Sequence, residues 1–404
     1  MRLEQISALE LILTAACNLR CSYCYQTNKN ARSMEWPAMR AGLDLLLAST
    51  ATNVSVLFIG GEPLLEFRLI ERAVTYLDKM RRPNMRIRYT VITNGTLLGD
   101  EHAAFFASHD FELQISFDGV TDAQDLRGPG TFTDLDTLVD ALRERNPDYF
   151  ARRVRVSTTL TPQSIVWLAD SIAYFCEKGI REVRVSPDFT TRDWCTERIT
   201  ELDRAFARVF DTVVTHYNRT GHIPIGLWRN TSTPARSAST GPICSVATGS
   251  KLTIDVDGNT VACVALAPSY QSYPTIFLRD RAEALQFGHV ESAALSDTFA
   301  TAPAAARASG LFHNKSGKHS SYGRCADCQY VSRCGYCPVS IGHQRENDDP
   351  NRVPDFICAF NLIVNKYRDL FPRMSATAQA MRTIAPAPSL APDVARVLFG
   401  GRSS

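Results

Sequence analysis

The spacing of its cysteines constrains this chain more than any other feature. Of 12 cysteines, three fall in the run Cys17-Asn18-Leu19-Arg20-Cys21-Ser22-Tyr23-Cys24, a C-x3-C-x2-C spacing. Seven more, Cys244, Cys263, Cys325, Cys328, Cys334, Cys337 and Cys358, fall in the C-terminal part. Three thiolates on one short loop can hold three corners of a four-iron cluster and leave the fourth iron open to an outside ligand. A closed structural site wants a fourth residue close by, and the neighbouring sequence supplies none. The alternative for such a triplet is zinc, which takes four protein ligands, often in closely spaced pairs.

At 404 residues the chain is long enough for one large domain and a smaller one. A hydrophobic share of 45% and a charged share of 21% are those of a globular protein. The net charge of +2 gives no reason to expect nucleic acid or a membrane surface as partner. The N-terminus, Met-Arg-Leu-Glu-Gln-Ile-Ser, lacks a secretory apolar run, so the many cysteines argue for metal sites rather than disulfides. Exposed iron–sulfur clusters also require a reducing setting, and the expected location is cytoplasmic. The eight histidines, His313 and His319 included, show no ligand-like spacing.

Residues 8 to about 220 alternate short apolar runs with longer amphipathic ones, the pattern of a β/α fold with parallel strands. The predicted strands are Leu9–Leu13, Val54–Ile59, Arg86–Ile92, Glu112–Phe117, Val154–Leu160 and Glu182–Ser186. Helical stretches between them include Met39–Leu47, Arg68–Met80, Phe132–Arg145, Ile165–Lys178 and Leu202–Tyr217. Six such units predict a barrel-like (β/α)6 sheet with its active face at the C-terminal strand ends. The cysteine loop directly follows strand one. Strand two runs into Gly60-Gly61-Glu62-Pro63, where two glycines allow a close backbone approach to a ligand. Strands three and four end in Thr93-Asn94-Gly95-Thr96 and Ser116-Phe117-Asp118-Gly119, which place short polar side chains at the barrel mouth.

The triplet, with an aromatic residue before its last cysteine, resembles the signature of the radical S-adenosylmethionine (radical SAM) superfamily. The resemblance implies that Cys17, Cys21 and Cys24 ligate a cluster whose open iron chelates SAM. It also implies that one electron cleaves SAM to a 5′-deoxyadenosyl radical, which abstracts hydrogen. By the same resemblance Gly60, Gly61, Glu62 and Pro63 bind the SAM amino group, and Ser116 and Asp118 line the ribose and methionine carboxylate. Asn94 shapes its turn or joins them. Arg127, in Asp125-Leu126-Arg127, pairs with the methionine carboxylate, a contact suited to guanidinium geometry. Tyr23 lies along the adenine. Many relatives have histidine where this chain has Gln124.

A composition break at Asn230–Ser237 reads as a linker, dividing residues 1–230 from 231–373, with an Ala/Pro-rich tail over 374–404. In that tail Pro392–Phe399 is a candidate docking helix. Asp257-Gly258 between Lys251–Val256 and Thr260–Val264 predicts a hairpin that returns Cys263 to Cys244. The spacing C-x13-G-x4-C (Cys244 to Cys263), C-x2-C-x5-C-x2-C (Cys325 to Cys337) and a last Cys358 in a predicted helix Pro354–Leu370 is similar to the SPASM extension of radical SAM enzymes that modify peptides. The SPASM pattern has x3 where this chain has Cys334-Gly335-Tyr336-Cys337. The expected fold is therefore α/β, a partial barrel followed by a small cysteine-rich domain with a β-hairpin and short helices. A pair of zinc ribbons is the alternative for this block.

The resemblance assigns Cys325, Cys328, Cys334 and Cys358 to an outer cluster and Cys244, Cys263 and Cys337 to an inner one. The expected cofactors are three 4Fe-4S clusters, one SAM-binding and two auxiliary, together with S-adenosylmethionine. Sulfatase-maturating relatives have a fourth inner ligand at the position of Ala238 and a catalytic carboxylate at that of Val264. The inner corner is thus expected to be open, or filled by water or Cys195, and Cys176 reads as a buried structural thiol. Auxiliary clusters suit a net two-electron oxidation, and the leading expectation is a thioether or carbon–carbon crosslink in a ribosomally made peptide. A small-molecule dehydrogenase and formylglycine-type maturation are the alternatives. A non-catalytic zinc module and an electron carrier are readings from other classes. Expected partners are the peptide, a flavodoxin or ferredoxin electron donor, and another surface or a separate protein that recognises a leader. The 61 residues between Cys263 and Cys325, with Ser320-Ser321-Tyr322-Gly323, are a candidate substrate-binding segment.

Overall fold

The computed structural model describes residues 5–191, 193–229, 244–270, 272–312, 314–344 and 347–371. Six strands, β1 (Ala8–Ile12), β2 (Asn53–Ile59), β3 (Arg86–Thr93), β4 (Glu112–Ser116), β5 (Val154–Leu160) and β6 (Val183–Pro187), lie parallel in sequence order. Helices α1 (Trp36–Ala48), α2 (Phe67–Met80), α3 (Asp100–Ser108), α4 (Thr121–Asp125), α5 (Phe132–Arg145), α6 (Pro147–Arg153) and α7 (Leu168–Glu177) make the crossovers, and α8 (Thr196–Thr220) follows β6. The strands begin and end within a residue or two of the apolar runs that predict them. The unpredicted α3, α4 and α6 are all shorter than ten residues, too short for a clear 3.6-residue period.

Register separates two faces. Leu9, Val56, Val91, Leu113, Val154 and Val183 share the face covered by the helices and are fully buried in the main core. The opposite, concave face is mostly polar: Glu10 pairs with Leu57, Thr90 with Glu112, Gln114 with Arg155, and Ser116 with Ser157. A one-residue alternation thus builds a greasy outside and a wet lumen from the same strands.

The second region continues this sheet. β7 (Lys251–Ile254) pairs parallel with β1, and β8 (Asn259–Val261) and β9 (Gln286–His289) follow antiparallel, giving the order β6-β5-β4-β3-β2-β1-β7-β8-β9. The β1 edge is thereby covered rather than exposed. The hairpin is shorter than predicted because buried Asp255 closes the turn, accepting from Asp257 N at 3.0 Å and Asn259 N at 2.9 Å. Gly258 sits there at φ +81°, a conformation that favours glycine. Unpredicted α9 (Ile276–Glu283), α10 (Leu295–Ala300) and α11 (Ala302–Ala308) fill part of the 61-residue gap. Next come the two-residue strands β10 (His319–Ser320) and β11 (Gly323–Arg324), and then α12 (Val339–Gly342). The last helix, α13 (Asp355–Leu370), docks on α8 through Phe206, Phe210, Tyr367 and Phe371 around buried Trp228, whose Nε1 donates to Val364 O at 3.0 Å. Lys366 pairs with Asp203 across the same contact at 2.9 Å. Asn230–Ser237, Ala238, His313 and the tail 374–404 lie outside the described residues. No helix among the described residues is long and apolar enough to cross a membrane.

Candidate active site

The cysteine loop leaves β1 and is held from several sides by its own backbone. Ala15 N donates to Arg32 O at 2.9 Å, Ser22 N to Leu126 O at 3.0 Å, and the side chains of Gln26 and Lys29 reach Ala15 O and Leu19 O at 2.8 and 3.0 Å. Cys17, Cys21 and Cys24 remain half-buried free thiols. Burial pushes the Cys17 and Cys21 thiols up, and Cys24 adds to both.

The Gly60–Pro63 turn meets this loop directly. Gly61 N donates to Thr14 O at 2.8 Å and Glu62 N to Ala16 O at 2.9 Å. A Cβ on Gly61 would lie 2.1 Å from Ala16 O, and one on Gly60 2.8 Å from Thr14 O. The glycines thus answer a close approach of the chain to itself, where the sequence reading placed a ligand. Fully buried Glu62 is also turned inward: it accepts from Leu64 N at 3.0 Å, Thr93 Oγ1 at 2.7 Å and Asn94 N at 2.8 Å, which ties the turn to the end of β3. Burial pushes its carboxyl up, against the pull of these donors. Pro63 is buried and opens a short 3-10 turn, Pro63–Glu66. Asn94 does shape its turn, accepting from Thr96 N at 2.9 Å. Its Nδ2 also donates to Asn18 Oδ1 at 2.8 Å and lies 4.0 Å from Cys17 Sγ.

Asp118 and Arg127 find each other first. Arg127 Nη2 and Nε reach the two Asp118 oxygens at 2.8 and 3.1 Å, Thr159 N donates at 2.8 Å, and Tyr23 Oη completes the set. Four donors use the acceptor sites of one carboxylate, so Asp118 braces Arg127, Tyr23 and the end of β5 against one another. The Arg127 guanidinium also lies 5.4 Å from the Tyr23 ring centroid, which fixes the aromatic of the cysteine loop. Gln124 accepts from Asp118 N at 2.9 Å and donates to Thr131 Oγ1 at 2.9 Å, an internal role for the residue that departs from the family pattern. Ser116 stands half-buried on the concave face.

The seven cysteines named in the second region are also half-buried thiols. Cys263 and Cys337 are pushed up chiefly by burial, Cys337 to about 12, and each feels the other or Cys244. Burial pushes Cys334 to about 12 and Cys358 to about 11, with Cys325 and Cys328 adding to both. Cys325, Cys328, Cys334 and Cys358 line one cavity with Tyr322 and Tyr336. Ser320, Tyr322 and Gly323, read in sequence as a substrate segment, also line this cavity, and Ser320 hydrogen-bonds Cys358. Cys195 is exposed at the start of α8 beside Glu197, and Cys176 is buried in α7. Among the described residues no three His, Cys, Asp or Glu side chains converge as ligands of a single ion. A four-iron cluster needs no such convergence, since each thiolate takes a separate iron. The donor chemistry of a trio at the mouth, a trio beside it and a quartet fits that cofactor.

Sequence reasoning missed Glu10. It faces the lumen from β1, 3.0 Å from Lys251 Nζ and 2.7 Å from Thr253 Oγ1, and its charge acts on Cys263. The signal was present: one acid in the apolar strand Ala-Leu-Glu-Leu-Ile. Also missed was the pair of half-buried Tyr25 and buried Tyr270, with ring centroids 5.4 Å apart and Tyr270 Oη donating to Gly60 O at 2.6 Å. Val264, at the expected base position, packs in a small apolar cluster with Ile12, Ile59 and Tyr270.

Residues 11–202 match the Radical SAM superfamily. The chain carries a radical SAM domain. An uncharacterized protein of Methanocaldococcus jannaschii is 32% identical over 180 residues, 43% of this chain and 60% of that protein. The radical SAM cyclopropyl synthase TigE of Paramaledivibacter caminithermalis is 23% identical over 284 residues, 64% of this chain and 58% of TigE. The chain thus spans about three-fifths of the length of these relatives. Native anSMEcpe, solved with bound AdoMet and the Cp18Cys peptide, is similar with a TM-score of 0.68 and 17% identity, over 93% of this chain and 99% of that one. Streptococcus suis SuiB bound to precursor peptide SuiA gives a TM-score of 0.55 and 16% identity, over 87% of this chain and 76% of SuiB. These two likenesses show the fold, and both extend past the radical SAM domain into the cysteine-rich region.

Proposed function

We propose that the radical SAM domain oxidises a C–H bond of a peptide side chain, and that the cysteine-rich region is a SPASM domain holding two auxiliary 4Fe-4S clusters. The product is a thioether or carbon–carbon crosslink in a ribosomally made peptide, formed in the reducing cytoplasm with a flavodoxin or ferredoxin as electron donor. The observation that carries this reading is the cavity that Cys325, Cys328, Cys334 and Cys358 line together, in a chain that also carries a radical SAM domain. That two proteins of the same fold were solved with peptides bound supports the substrate class.

In this reading Cys17, Cys21 and Cys24 hold the radical-generating cluster, Cys244, Cys263 and Cys337 the inner cluster, and Cys325, Cys328, Cys334 and Cys358 the outer one. Together with SAM, the first cluster would supply a 5′-deoxyadenosyl radical and the other two an electron acceptor. The chain's own part is positioning. The Gly60–Pro63 turn, locked to the cysteine loop, presents its backbone to the SAM amino group, Ser116 faces the same mouth, and Asn94 steadies the Cys17 sulfur. Arg127, braced by Asp118, holds Tyr23 where the adenine would lie. The apolar cluster around Ile12, Ile59 and Val264 keeps water from the mouth. Loss of two hydrogens per crosslink leaves a proton to be accepted, and Glu10 is the carboxylate beside the inner trio.

The test is anaerobic co-expression with a peptide encoded beside this gene, read by intact mass. Loss of two hydrogens per modification supports the reading. An unchanged peptide, with clusters and SAM cleavage verified, points instead to a small-molecule dehydrogenase. Formylglycine-type maturation is favoured by one observation, the Glu10 carboxylate near Cys263. A product that reacts with a hydrazide reveals that aldehyde, and a crosslink does not react.

A further inference from the structure

Tyr336 occupies the one place where the cysteine spacing departs from the SPASM pattern, in Cys334-Gly335-Tyr336-Cys337. Cys334 on one side belongs to the quartet and Cys337 on the other to the inner trio. The Tyr336 ring packs against the main core and lines the cavity of Cys325, Cys328, Cys334 and Cys358. Its backbone position is pinned from α13, since Gly335 N donates to Asn361 Oδ1 at 2.9 Å and Asn361 in turn donates to Ile357 O at 2.9 Å. The Tyr336 hydroxyl oxygen is sealed from solvent and has no hydrogen-bond partner among the described residues. Tyr89 and Tyr149 share that condition, but Tyr336 alone of the three lines the cysteine cavity. A buried hydroxyl without a partner loses the hydrogen bonds it made in water, and phenylalanine would pack the same space without that loss. The cavity that its ring lines is also walled by Cys325, Cys328, Cys334 and Cys358, whose sulfurs are candidate acceptors.

The geometry points to Tyr336 as a hydrogen-bond donor to a sulfur of the cluster held by the outer quartet, a positioning residue that sets that cluster's reduction potential. This rests on the reading of the quartet as a cluster site. A donor to sulfur stabilises the more negative, reduced form and so raises the potential. The outer cluster would then be biased to take up the electron, with no bond made or broken in the protein.

The test compares wild type, Tyr336→Phe and, as a control with an equally orphaned hydroxyl, Tyr89→Phe, all full-length and reconstituted anaerobically. Iron content is measured first, then each cluster's midpoint by EPR-monitored titration. Tyr336→Phe is expected to keep the iron while the outer cluster's reduction constant falls about tenfold, ~59 mV for one electron, with Tyr89→Phe unmoved. An unchanged or raised midpoint with all clusters present overturns the inference alone. Absence of the outer cluster from wild type overturns it together with the reading beneath it. Should Tyr336→Phe lose its clusters, pulsed EPR of wild type exchanged into D2O decides: a coupled deuteron at the outer cluster supports the inference, and its absence overturns it.

Discussion

The barrel mouth and the cysteine-rich region both gather thiols, but they hold them by different means. At the mouth the loop is locked to a parallel sheet by backbone bonds from Gly61 and Glu62, and its buried carboxylates, Glu62 and Asp118, have their donors in place. Around the quartet, elements are two to four residues long from Lys315 to Gly342, and order depends on long side chains, such as Lys318 Nζ donating to Gly310 O at 2.6 Å and Pro350 O at 2.8 Å. Burial pushes the quartet's Cys334 up to about 12 and Cys358 to about 11, and Cys325 and Cys328 add to both, so as thiolates they call for a positive partner. The mouth is preorganised, whereas under the proposed reading folding of the outer region would be coupled to metal binding.

The largest effect expected from this contrast is on iron removal. Chelation should abolish amide hydrogen-exchange protection over residues 315–342 while strands β1–β6 keep theirs, and equal loss in both regions would break the comparison. Next comes Gly61→Ala, whose Cβ meets Ala16 O at 2.1 Å. It should displace the cysteine loop and abolish SAM cleavage while leaving the auxiliary iron in place, as read by iron count and deoxyadenosine formation. Arg127→Ala leaves Asp118 charged and buried, with side-chain exposures of 9% and 2% in the intact pair. A cost of about 3–5 kcal/mol is expected in denaturant unfolding, and a surface-like loss below ~1 kcal/mol would show that the mouth is not so rigid. The smallest effect concerns His343, edge-on to Phe189 and held down to about 4 by burial. Between pH ~6.5 and 4 the unfolded chain binds a proton that the folded chain refuses, so stability falls as pH drops through that window, by at most ~3 kcal/mol. His343→Phe should flatten that slope in thermal melts from pH 7 to 4.

Much of this was legible in sequence because its signals are local. Val154–Leu160 and Phe132–Arg145 are written in their own periodicities, and Asp257-Gly258 marks its turn. What stayed hidden was set by partners far away along the chain. The docking of Lys251–Ile254 on β1, and with it the Glu10–Lys251 pair, joins residues 241 positions apart. Nor does local sequence announce the partners of Glu62, which are Thr93 and Asn94, or those of Asp118, which are Arg127, Thr159 and Tyr23. The helices α9–α11 are too short to stand out from the gap that contains them.

Three cluster sites in two differently built regions are the central claim, and the iron and acid-labile sulfide content of anaerobically reconstituted protein tests it most directly. The account predicts about 12 iron per chain, falling to about 8 when Cys17, Cys21 and Cys24 are all replaced by alanine. About 4 iron in the intact chain, or zinc in the C-terminal cysteines, would contradict it.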